Sequence, residues 1–259
     1  VQAMSRERIT SRGNPLISRL RKLKGSRALR REEGVFLCEG PKMLEEALRW
    51  NAEIELVLCA EGTALPPLPA GTRVVEVPAD LLAAAADTQT PQGIVFLCKM
   101  GSPALPERLP GQRFLVLDGL QDPGNVGTIW RSADAFGADG LILCNGCADP
   151  WGPKTVRATM GAVFRLPVWE CGLDELSERL RSQRIPLYAT ALREDTEDVR
   201  VIDLFRAAVV IGSEGKGVSR QALELCEKTV KIPMRPRCES LNAAAAAAVV
   251  LWKMAGESL

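Results

Sequence analysis

Short apolar runs alternate with amphipathic segments along most of the chain. Between residues 32 and 98, the apolar runs are GVFLC, IELVLC, RVVEV and GIVFLC, and Pro41 opens one of the amphipathic segments between them. Apolar runs of this length bounded by turn residues indicate buried strands, and the helical periodicity between them indicates helices. We therefore predict a small α/β domain over residues 32–98.

The alternation stops over residues 99–112 and restarts at Arg113. The interruption, KMGSPALPERLPGQ, carries three prolines and two glycines, which predicts a linker. The apolar runs that follow are RFLVLD, GLILC, PLYATA, AAVVIG and TVKIP, separated by helical segments that include KTVRATMGAVF. Such alternation predicts a mostly parallel sheet with helices on both faces, in which ligands bind beyond the carboxyl ends of the strands.

The last helical segment, ESLNAAAAAAVVLW at residues 239–252, admits two interpretations. Alanine has the highest helix propensity and Ser or Asn commonly caps a helix, so a plain capped helix is favoured locally. Alternatively, the small side chains line a site to which backbones must approach closely. The rest of the chain has to decide between the two.

Composition excludes several kinds of chemistry. The 259 residues contain no histidine, which removes Ser/His/Asp triads, Cys/His dyads and histidine metal sites. Cys144 and Cys147 have CxxC spacing, but no second CxxC completes a zinc site, and buried thiols beside a turn at Asn145-Gly146 fit better than a metal or redox site. Unpaired cysteines favour a reducing cytoplasm. No apolar stretch is long enough for a membrane span or a signal peptide, so we expect a soluble protein.

Charge is segregated along the chain. Residues 1–31 carry ten Lys or Arg and one Glu, a net charge of +9, whereas the remaining 23 basic and 31 acidic residues give −8. A solvated helix face usually mixes the two signs. We therefore predict a basic N-terminal arm over residues 1–31 that binds a polyanion, RNA or DNA.

Three predicted strand ends carry unusual sequence. The first, DGLQDPGNVGTIWRSADAFG, contains Asn125 and Arg131, whose alternative roles are a helix cap and a merely solvated side chain. The second, VVIGSEGKGVS, is a glycine loop in which Lys216 precedes Gly217, so it matches neither the phosphate-binding GxxxxGK[ST] motif nor GxGxxG. The third is KIPMRPRCESLN, which leads into the alanine segment.

Together these stretches resemble the SpoU (TrmH) family of the SPOUT class, the S-adenosylmethionine-dependent RNA ribose 2′-O-methyltransferases. The family's three motifs are similar to NVGTIWRSADAFG, VVIGSEGKGVS and IPM…ESLNAAAAAAVVLW, in this order, and the resemblance spans residues 113–259. GVFLCEGPKMLEEAL and TQTPQGIV also resemble the small substrate-binding domain of members that act on ribosomal RNA. One departure is RPRC at residues 235–238, where relatives often carry a small or glycine-containing loop.

The resemblance implies an α/β fold: a C-terminal SPOUT domain over 113–259 with a mostly parallel sheet and a trefoil knot, plus a small N-terminal domain of ribosomal-protein L30e-like type. It also implies S-adenosylmethionine as cofactor, no metal, a homodimer, and RNA as partner, with rRNA favoured over tRNA. The residues implied for cofactor binding are Gly212, Gly215, Ile232, Met234, Leu241 and, less directly, Thr190. Those implied for catalysis are Arg131, Asn125, Glu214, Ser240 and Asn242.

The implied mechanism gives the activating role to Arg131. A guanidinium does not deprotonate in proteins, so it cannot act as a simple base. We expect instead that Arg131 grips a nucleotide phosphate and stabilises the developing alkoxide, with the phosphate as a candidate proton acceptor. Two other interpretations stay open: a non-catalytic RNA-binding module, and a phosphate- or nucleotide-binding enzyme that uses the glycine loop.

Overall fold

Two β-sheets organise the described residues of the computed structural model, which are 6–193, 196–238 and 240–256. Glu239 of the third motif and both chain termini lie outside these ranges. The helices are α1 (Pro15–Gly25), α2 (Arg27–Glu33), α3 (Pro41–Arg49), α4 (Ala79–Ala85), α5 (Pro123–Ala135), α6 (Pro153–Ala158), α7 (Leu173–Ser182), α8 (Arg220–Leu225) and α9 (Ala243–Ala255).

The strands fall into one sheet of five and one of seven. In chain order they are β1 (Glu7–Arg8), β2 (Val35–Glu39), β3 (Ile54–Ala60), β4 (Arg73–Val77), β5 (Ile94–Lys99), β6 (Arg113–Asp118), β7 (Gly140–Cys144), β8 (Val168–Glu170), β9 (Leu187–Thr190), β10 (Glu197–Asp198), β11 (Ala207–Gly212) and β12 (Lys228–Lys231). The short strands β1, β8 and β10 were not predicted from the sequence. In the part of the chain that the structure describes, no helix is long and apolar enough to cross a bilayer.

The first compact unit contains the five-stranded sheet, with strand order β1-β4-β3-β5-β2. β1, β4 and β3 are parallel, whereas β5 runs antiparallel to both β3 and β2. The strands predicted between residues 32 and 98 are all present in this sheet.

The predicted basic arm is folded into this unit rather than extending from it. It forms β1, α1 and α2, and α1 begins after Asn14, whose side chain accepts a hydrogen bond from the backbone N–H of Leu16 at 2.8 Å. One face of α1 is apolar and lies in the core, where its buried side chains are Leu16, Ile17, Leu20 and Leu23. The segment folds into the unit because these apolar residues recur at helical spacing on one face of α1, a pattern that a count of charges does not show.

Residues Trp151–Phe164 also belong to the first unit, although the sequence placed them in the C-terminal domain. The Trp151 ring lies 4.9 Å from that of Phe36, and α6 packs on β2. The predicted helix KTVRATMGAVF is interrupted: α6 ends at Ala158, Met160 and Gly161 have φ values of 49° and 93°, and a short 3₁₀ helix follows. Residues in this left-handed region cannot continue an α-helix.

The second unit contains the seven-stranded sheet, with strand order β10-β12-β9-β11-β6-β7-β8 and only parallel pairings among its described strands. Alternate residues such as Phe114, Val116, Ala208 and Val210 form a core cluster with α7 and α8 on one face. Because side chains alternate across a strand, the intervening residues face the other side, where α5 and α9 contact the sheet. The predicted sheet with helices on both faces is confirmed.

The predicted linker packs onto this second unit. Leu105 and Leu109 are buried in its core. The Gln183 side chain accepts a hydrogen bond from the Leu109 N–H at 2.7 Å and donates one to the Leu109 carbonyl at 3.1 Å. The Pro- and Gly-rich composition therefore marks a connection without regular structure that is nevertheless fixed in place.

Candidate functional site

A cleft lies beyond the carboxyl ends of β9, β11 and β12 in the second unit. Its volume is about 360 Å³, within the range of small-molecule sites, which is roughly 300–1,000 Å³. Thr190 at the end of β9, Gly212 at the end of β11 and Lys231 at the end of β12 contribute to its walls. This is the edge of a parallel sheet at which ligands bind.

The glycine loop after β11 forms one wall, and Gly212 is required there by the loop's own packing. The chain turns back on itself, with the Gly217 N–H donating to the Ser213 carbonyl at 2.8 Å and the Ser213 N–H donating to the Gly217 carbonyl at 3.1 Å. A Cβ atom at Gly212 would lie 2.1 Å from the Gly217 carbonyl carbon. Gly217 has a φ of 66°, which favours glycine, whereas a Cβ at Gly215 would meet no atom within 4 Å.

The alanine helix α9 is both a capped helix and a wall of this cleft. The Asn242 side chain accepts hydrogen bonds from the N–H groups of Ala244 at 2.9 Å and Ala245 at 3.3 Å. Ala243 and Ala246, in the first turn, line the cleft. Larger side chains at these two positions would occupy the cleft, so alanine serves close approach as well as helix formation.

Three polar side chains from three motifs form a hydrogen-bonded chain beside the cleft. The Asn125 amide Nδ2 donates to Glu214 Oε1, and Asn242 Nδ2 donates to Asn125 Oδ1 at 3.3 Å. Glu214 lines the cleft itself, as does Ser240. Residues separated by 89 and 117 positions in the sequence are thereby brought together.

Arg131 does not join this chain of hydrogen bonds. Asp122 caps α5 by accepting a hydrogen bond from the Asn125 N–H at 2.7 Å, so Asn125 is the third residue of the helix and not its cap. Arg131 follows six residues later, about 9 Å along the axis and about 120° around it. Its side chain is exposed and has no ion pair among residues 6–193, 196–238 and 240–256.

Comparisons with known proteins agree with this geometry. The model of the SpoU rRNA Methylase family matches residues 112–252, more than half of the chain, and that of the MRM3-like substrate binding domain matches residues 14–95. The chain belongs to the SpoU rRNA Methylase family.

Similar proteins match nearly the whole chain. The chain is 32% identical over 228 residues to the 23S rRNA (guanosine(2553)-2′-O)-methyltransferase RlmP of Bacillus subtilis, covering 88% of this chain and 91% of that protein. It is 32% identical over 304 residues to mitochondrial rRNA methyltransferase 3 of Homo sapiens, covering 93% and 72%. The SpoU methyltransferase AviRb from Streptomyces viridochromogenes, solved in complex with AdoMet, superposes with a TM-score of 0.85 at 29% identity, covering 93% of this chain and 97% of that one.

The structure of this SpoU family member brings most of the predicted residues to the cleft. Five of the six residues implied for cofactor binding line it, and Gly215 does not. The lining residues are Thr190, Gly212, Ile232, Met234 and Leu241. The Thr190 hydroxyl is already engaged, because it donates to the Val210 carbonyl at 2.9 Å.

Sequence reasoning missed a buried carboxylate that joins the end of β6 to the turn after β7 and to the start of α8. Asp118, the last residue of β6, is 3% exposed. Its Oδ1 accepts a hydrogen bond from Asn145 Nδ2 and its Oδ2 accepts one from the Ser219 N–H, both at 2.6 Å. Ser219 caps α8, which follows the glycine loop. The signal available in the sequence was an acidic residue directly after the apolar run RFLVL.

The CxxC pair consists of buried thiols beside a turn. Asn145 and Gly146 both have positive φ, and Cys147 Sγ lies 3.3 Å from the Leu117 carbonyl oxygen. Burial raises the pKa of Cys147 to about 11, and a hydrogen bond with Cys171 together with burial raises the pKa of Cys144. Both thiols are therefore protonated at neutral pH, whereas the thiolate is the nucleophilic form of cysteine. In the described part of this SpoU family chain, no group of three or more Cys, Asp or Glu could hold a metal ion.

Proposed function

We propose that this protein transfers a methyl group from S-adenosylmethionine to a ribose 2′-hydroxyl of ribosomal RNA. The observation that carries the proposal is the cleft at the ends of β9, β11 and β12, with the hydrogen-bonded side chains of Asn125, Glu214 and Asn242 beside it. Membership in the SpoU family and the names of the relatives support the choice of reaction and of ribosomal RNA.

The cleft fits the proposed cofactor. Its walls are mostly apolar, with Ile211, Ile232, Met234 and Leu241 available to pack against the adenosine and Gly212 and Ile232 offering backbone groups for hydrogen bonds. Ala243 and Ala246 leave the space that longer side chains would fill. When bound, S-adenosylmethionine supplies the methyl group as an electrophile, so the protein has to orient the ribose oxygen in line and stabilise its charge.

The polar residues divide this work in our proposal. Asn125 holds the Glu214 carboxylate at the cleft, and Asn242 in turn holds the Asn125 amide. Ser240 adds a hydroxyl to the same edge. Arg131 has an exposed guanidinium, which suits bidentate binding of a phosphate. With the phosphate bound, the Arg131 guanidinium stabilises the negative charge that develops on the ribose oxygen. The phosphate is the candidate acceptor of the proton that the ribose hydroxyl releases.

A two-part experiment tests this proposal. Titration calorimetry in the presence of EDTA should show S-adenosylmethionine binding without added metal. Incubation with tritiated S-adenosylmethionine and an unmodified 23S rRNA transcript of the source organism should then give a single 2′-O-methylated nucleotide, detected as resistance to alkaline cleavage. Cofactor binding without methylation of any RNA would favour the non-catalytic RNA-binding alternative, and absence of both in folded protein would overturn the proposal.

The same assay decides between the two RNA classes. Total tRNA of the source organism replaces the 23S transcript at equal nucleotide concentration. We expect methylation of the ribosomal transcript only, because the first unit matches the MRM3-like substrate binding domain over residues 14–95. Preferential methylation of tRNA would contradict this substrate assignment and leave the reaction type intact.

We also propose a homodimer and a cytoplasmic location. Helices α5 and α9 pack together and expose a stripe that includes Thr128, Val249 and Trp252. A second copy that covers this stripe would bury Trp252, which is 66% exposed in the single chain. The eight unpaired cysteines support a reducing compartment.

A further inference from the structure

Two turns border the cleft, and each presents exposed cationic side chains. The first is the Ser213–Gly217 turn, closed by the two hydrogen bonds described above, and it carries Lys216. The second is the turn from Arg235 to Cys238, closed by a 2.9 Å hydrogen bond from the Cys238 N–H to the Arg235 carbonyl. Both arginines of this turn, Arg235 and Arg237, are exposed, as is Lys216. We call these three side chains the cationic rim.

The rim lies at the mouth of the cleft because its chain neighbours line the cleft. Glu214 and Gly217 flank Lys216, whereas Met234 and Ser240 flank the second turn, and all four are lining residues. Arg235 directly follows Met234, and Arg237 precedes Ser240 by three residues, a distance of at most about 11 Å along an extended chain.

The rim charges are not neutralised by neighbouring carboxylates. None of the three cations forms an ion pair with a residue that the structure describes. Other exposed cations of the same unit do, such as Arg200 with Asp198 at 2.5 Å and Lys228 with Glu197 at 2.6 Å. Among the described residues, the three rim cations are therefore free of ion pairs, and they outnumber the single Glu214 carboxylate that lines the cleft beside them.

The backbone of the second turn is conformationally restricted at its arginines. Pro236 occupies the second position of the turn, where its fixed φ is favourable, and it separates the two guanidinium groups by one residue. This is the RPRC stretch in which the sequence departs from the family's small loop. The departure thus adds two cations to the mouth of the cleft on a short, conformationally restricted turn.

We propose that the cationic rim binds phosphates of the nucleotides that flank the methylated ribose. The inference rests on the proposed function, in which a ribose of an RNA strand enters this cleft, so that backbone phosphates on either side of it lie at the mouth. Guanidinium and ammonium groups are the side chains best suited to phosphate, and the three cations supply charge on two sides of the opening.

The test compares a triple variant, K216Q/R235Q/R237Q, with wild-type protein in direct binding to the unmodified 23S rRNA transcript between 50 and 200 mM salt. Each phosphate contact that is lost from a single strand should lower the slope of log Kd against log salt by about 0.7, so the triple variant should lose about 2. The dissociation constant of S-adenosylmethionine, measured by calorimetry, should stay within twofold of wild type.

A second triple variant, R179Q/R181Q/R184Q, is the matched control. It removes the same charge from α7 and the turn before β9, at the opposite edge of the sheet from the cleft. An unchanged slope in this control, together with the loss in the rim variant, supports the proposal. Equal slopes in all three proteins overturn it, and so does weakened cofactor binding in the rim variant, which would assign the rim to the cofactor.

The failure of this inference is distinguishable from failure of the proposed function. If the wild-type protein methylates no RNA, the proposed function is contradicted, while the salt dependence of RNA binding still decides the role of the rim. If the wild type methylates the transcript and the rim variant keeps the wild-type salt slope, only the rim proposal is wrong. Unfolding curves of the variants establish that these surface substitutions leave the fold intact.

Discussion

Asn242 and Gly212 each have two roles at the cleft, one in the local backbone structure and one in the site. Asn242 caps α9 through its side-chain oxygen and donates to Asn125 through its side-chain nitrogen. A side-chain amide has an oxygen that accepts and a nitrogen that donates, so one residue can cap the start of a helix and also join a polar site. Gly212 similarly allows the loop to pack closely and lines the cleft.

Arg131 gives the first prediction at this scale. Arg131→Ala should leave the affinity for S-adenosylmethionine nearly intact and lower single-turnover methylation by roughly 10²-fold, the effect of losing a transition-state donor. Arg131→Lys should restore little activity, because an ammonium lacks the planar fork that spans phosphate and hydroxyl. Single-turnover rates at saturating RNA provide the measurement.

The control for this prediction is Arg181→Ala, an exposed arginine on α7 that also has no described ion pair. It should change neither the rate nor the stability, the latter within about 0.5 kcal/mol. Near-wild-type turnover of Arg131→Ala would remove Arg131 from the mechanism and leave it a solvated surface residue.

Gly212 and Gly215 give a second, paired prediction. Gly212→Ala places a Cβ against the Gly217 backbone and should destabilise the fold by about 1–3 kcal/mol while weakening cofactor binding at least tenfold, because the loop has to move. Gly215→Ala has open space and should change stability by less than about 0.5 kcal/mol. Thermal unfolding and calorimetry measure both effects. Equal effects of the two substitutions would contradict the loop geometry.

At the scale of elements, the N-terminal basic segment shows how folding redistributes charge. Many of its cations are matched by carboxylates from later parts of the first unit. The observed pairs are Arg6 with Glu76, Arg8 with Glu61, Arg12 with Asp80, and Arg19 with both Glu33 and Glu55. The hydrogen bond from Arg12 lowers the pKa of Asp80, as expected for such a pair. Segregation along the sequence therefore overstates the charge that is free to bind RNA.

The sequence suggests deleting the basic segment to test RNA binding, but in the folded protein this deletion also removes part of the core. Removing residues 5–31 would take Leu16, Ile17, Leu20 and Leu23 out of the core. Each such side chain contributes about 2–5 kcal/mol relative to alanine, and a whole domain is stable by only about 5–15 kcal/mol. We expect the deletion to unfold the first unit, observed as loss of its unfolding transition in calorimetry, with the second unit still able to bind S-adenosylmethionine.

Charge substitution on α1 tests the RNA-binding prediction without unfolding. Arg21 and Lys22 are exposed and lack ion pairs within the described ranges. The variant Arg21→Gln/Lys22→Gln should flatten the salt dependence of RNA binding by up to about 1.4 in the log–log slope. Arg8→Gln/Arg12→Gln, which removes two cations already paired with carboxylates, is the matched control and should have a smaller effect. An unchanged slope in the double variant would count against a role of this segment in binding RNA.

At the scale of the whole molecule, the exposed stripe on α5 and α9 predicts self-association. Trp252→Glu should shift the protein from dimer to monomer in analytical ultracentrifugation, because a buried carboxylate would oppose the burial of the stripe. Val201→Glu alters a residue that is 79% exposed elsewhere in the second unit and should leave the dimer intact. A monomeric wild-type protein at micromolar concentration would refute the homodimer.

The sequence by itself determined the elements and the kind of site. Apolar periodicity depends on neighbours along the chain, so it predicted α5, α7, α9 and the strands of both sheets other than the short β1, β8 and β10. The motif residues Asn125, Glu214, Ser240 and Asn242 were named from a resemblance, because their order and spacing are properties of the chain. The C-terminal knot remains a prediction on the same basis.

Only the tertiary structure decided which distant residues meet. It joined Asn125 to Glu214 and Asn242, revealed Asp118 as the link between two strand ends and α8, and moved Trp151–Phe164 into the first unit. It also turned a charged segment into a paired and partly buried one. Ion pairs, buried carboxylates and strand-end clusters depend on distances in three dimensions. They form between residues that are far apart in the sequence, so no local sequence pattern predicts them.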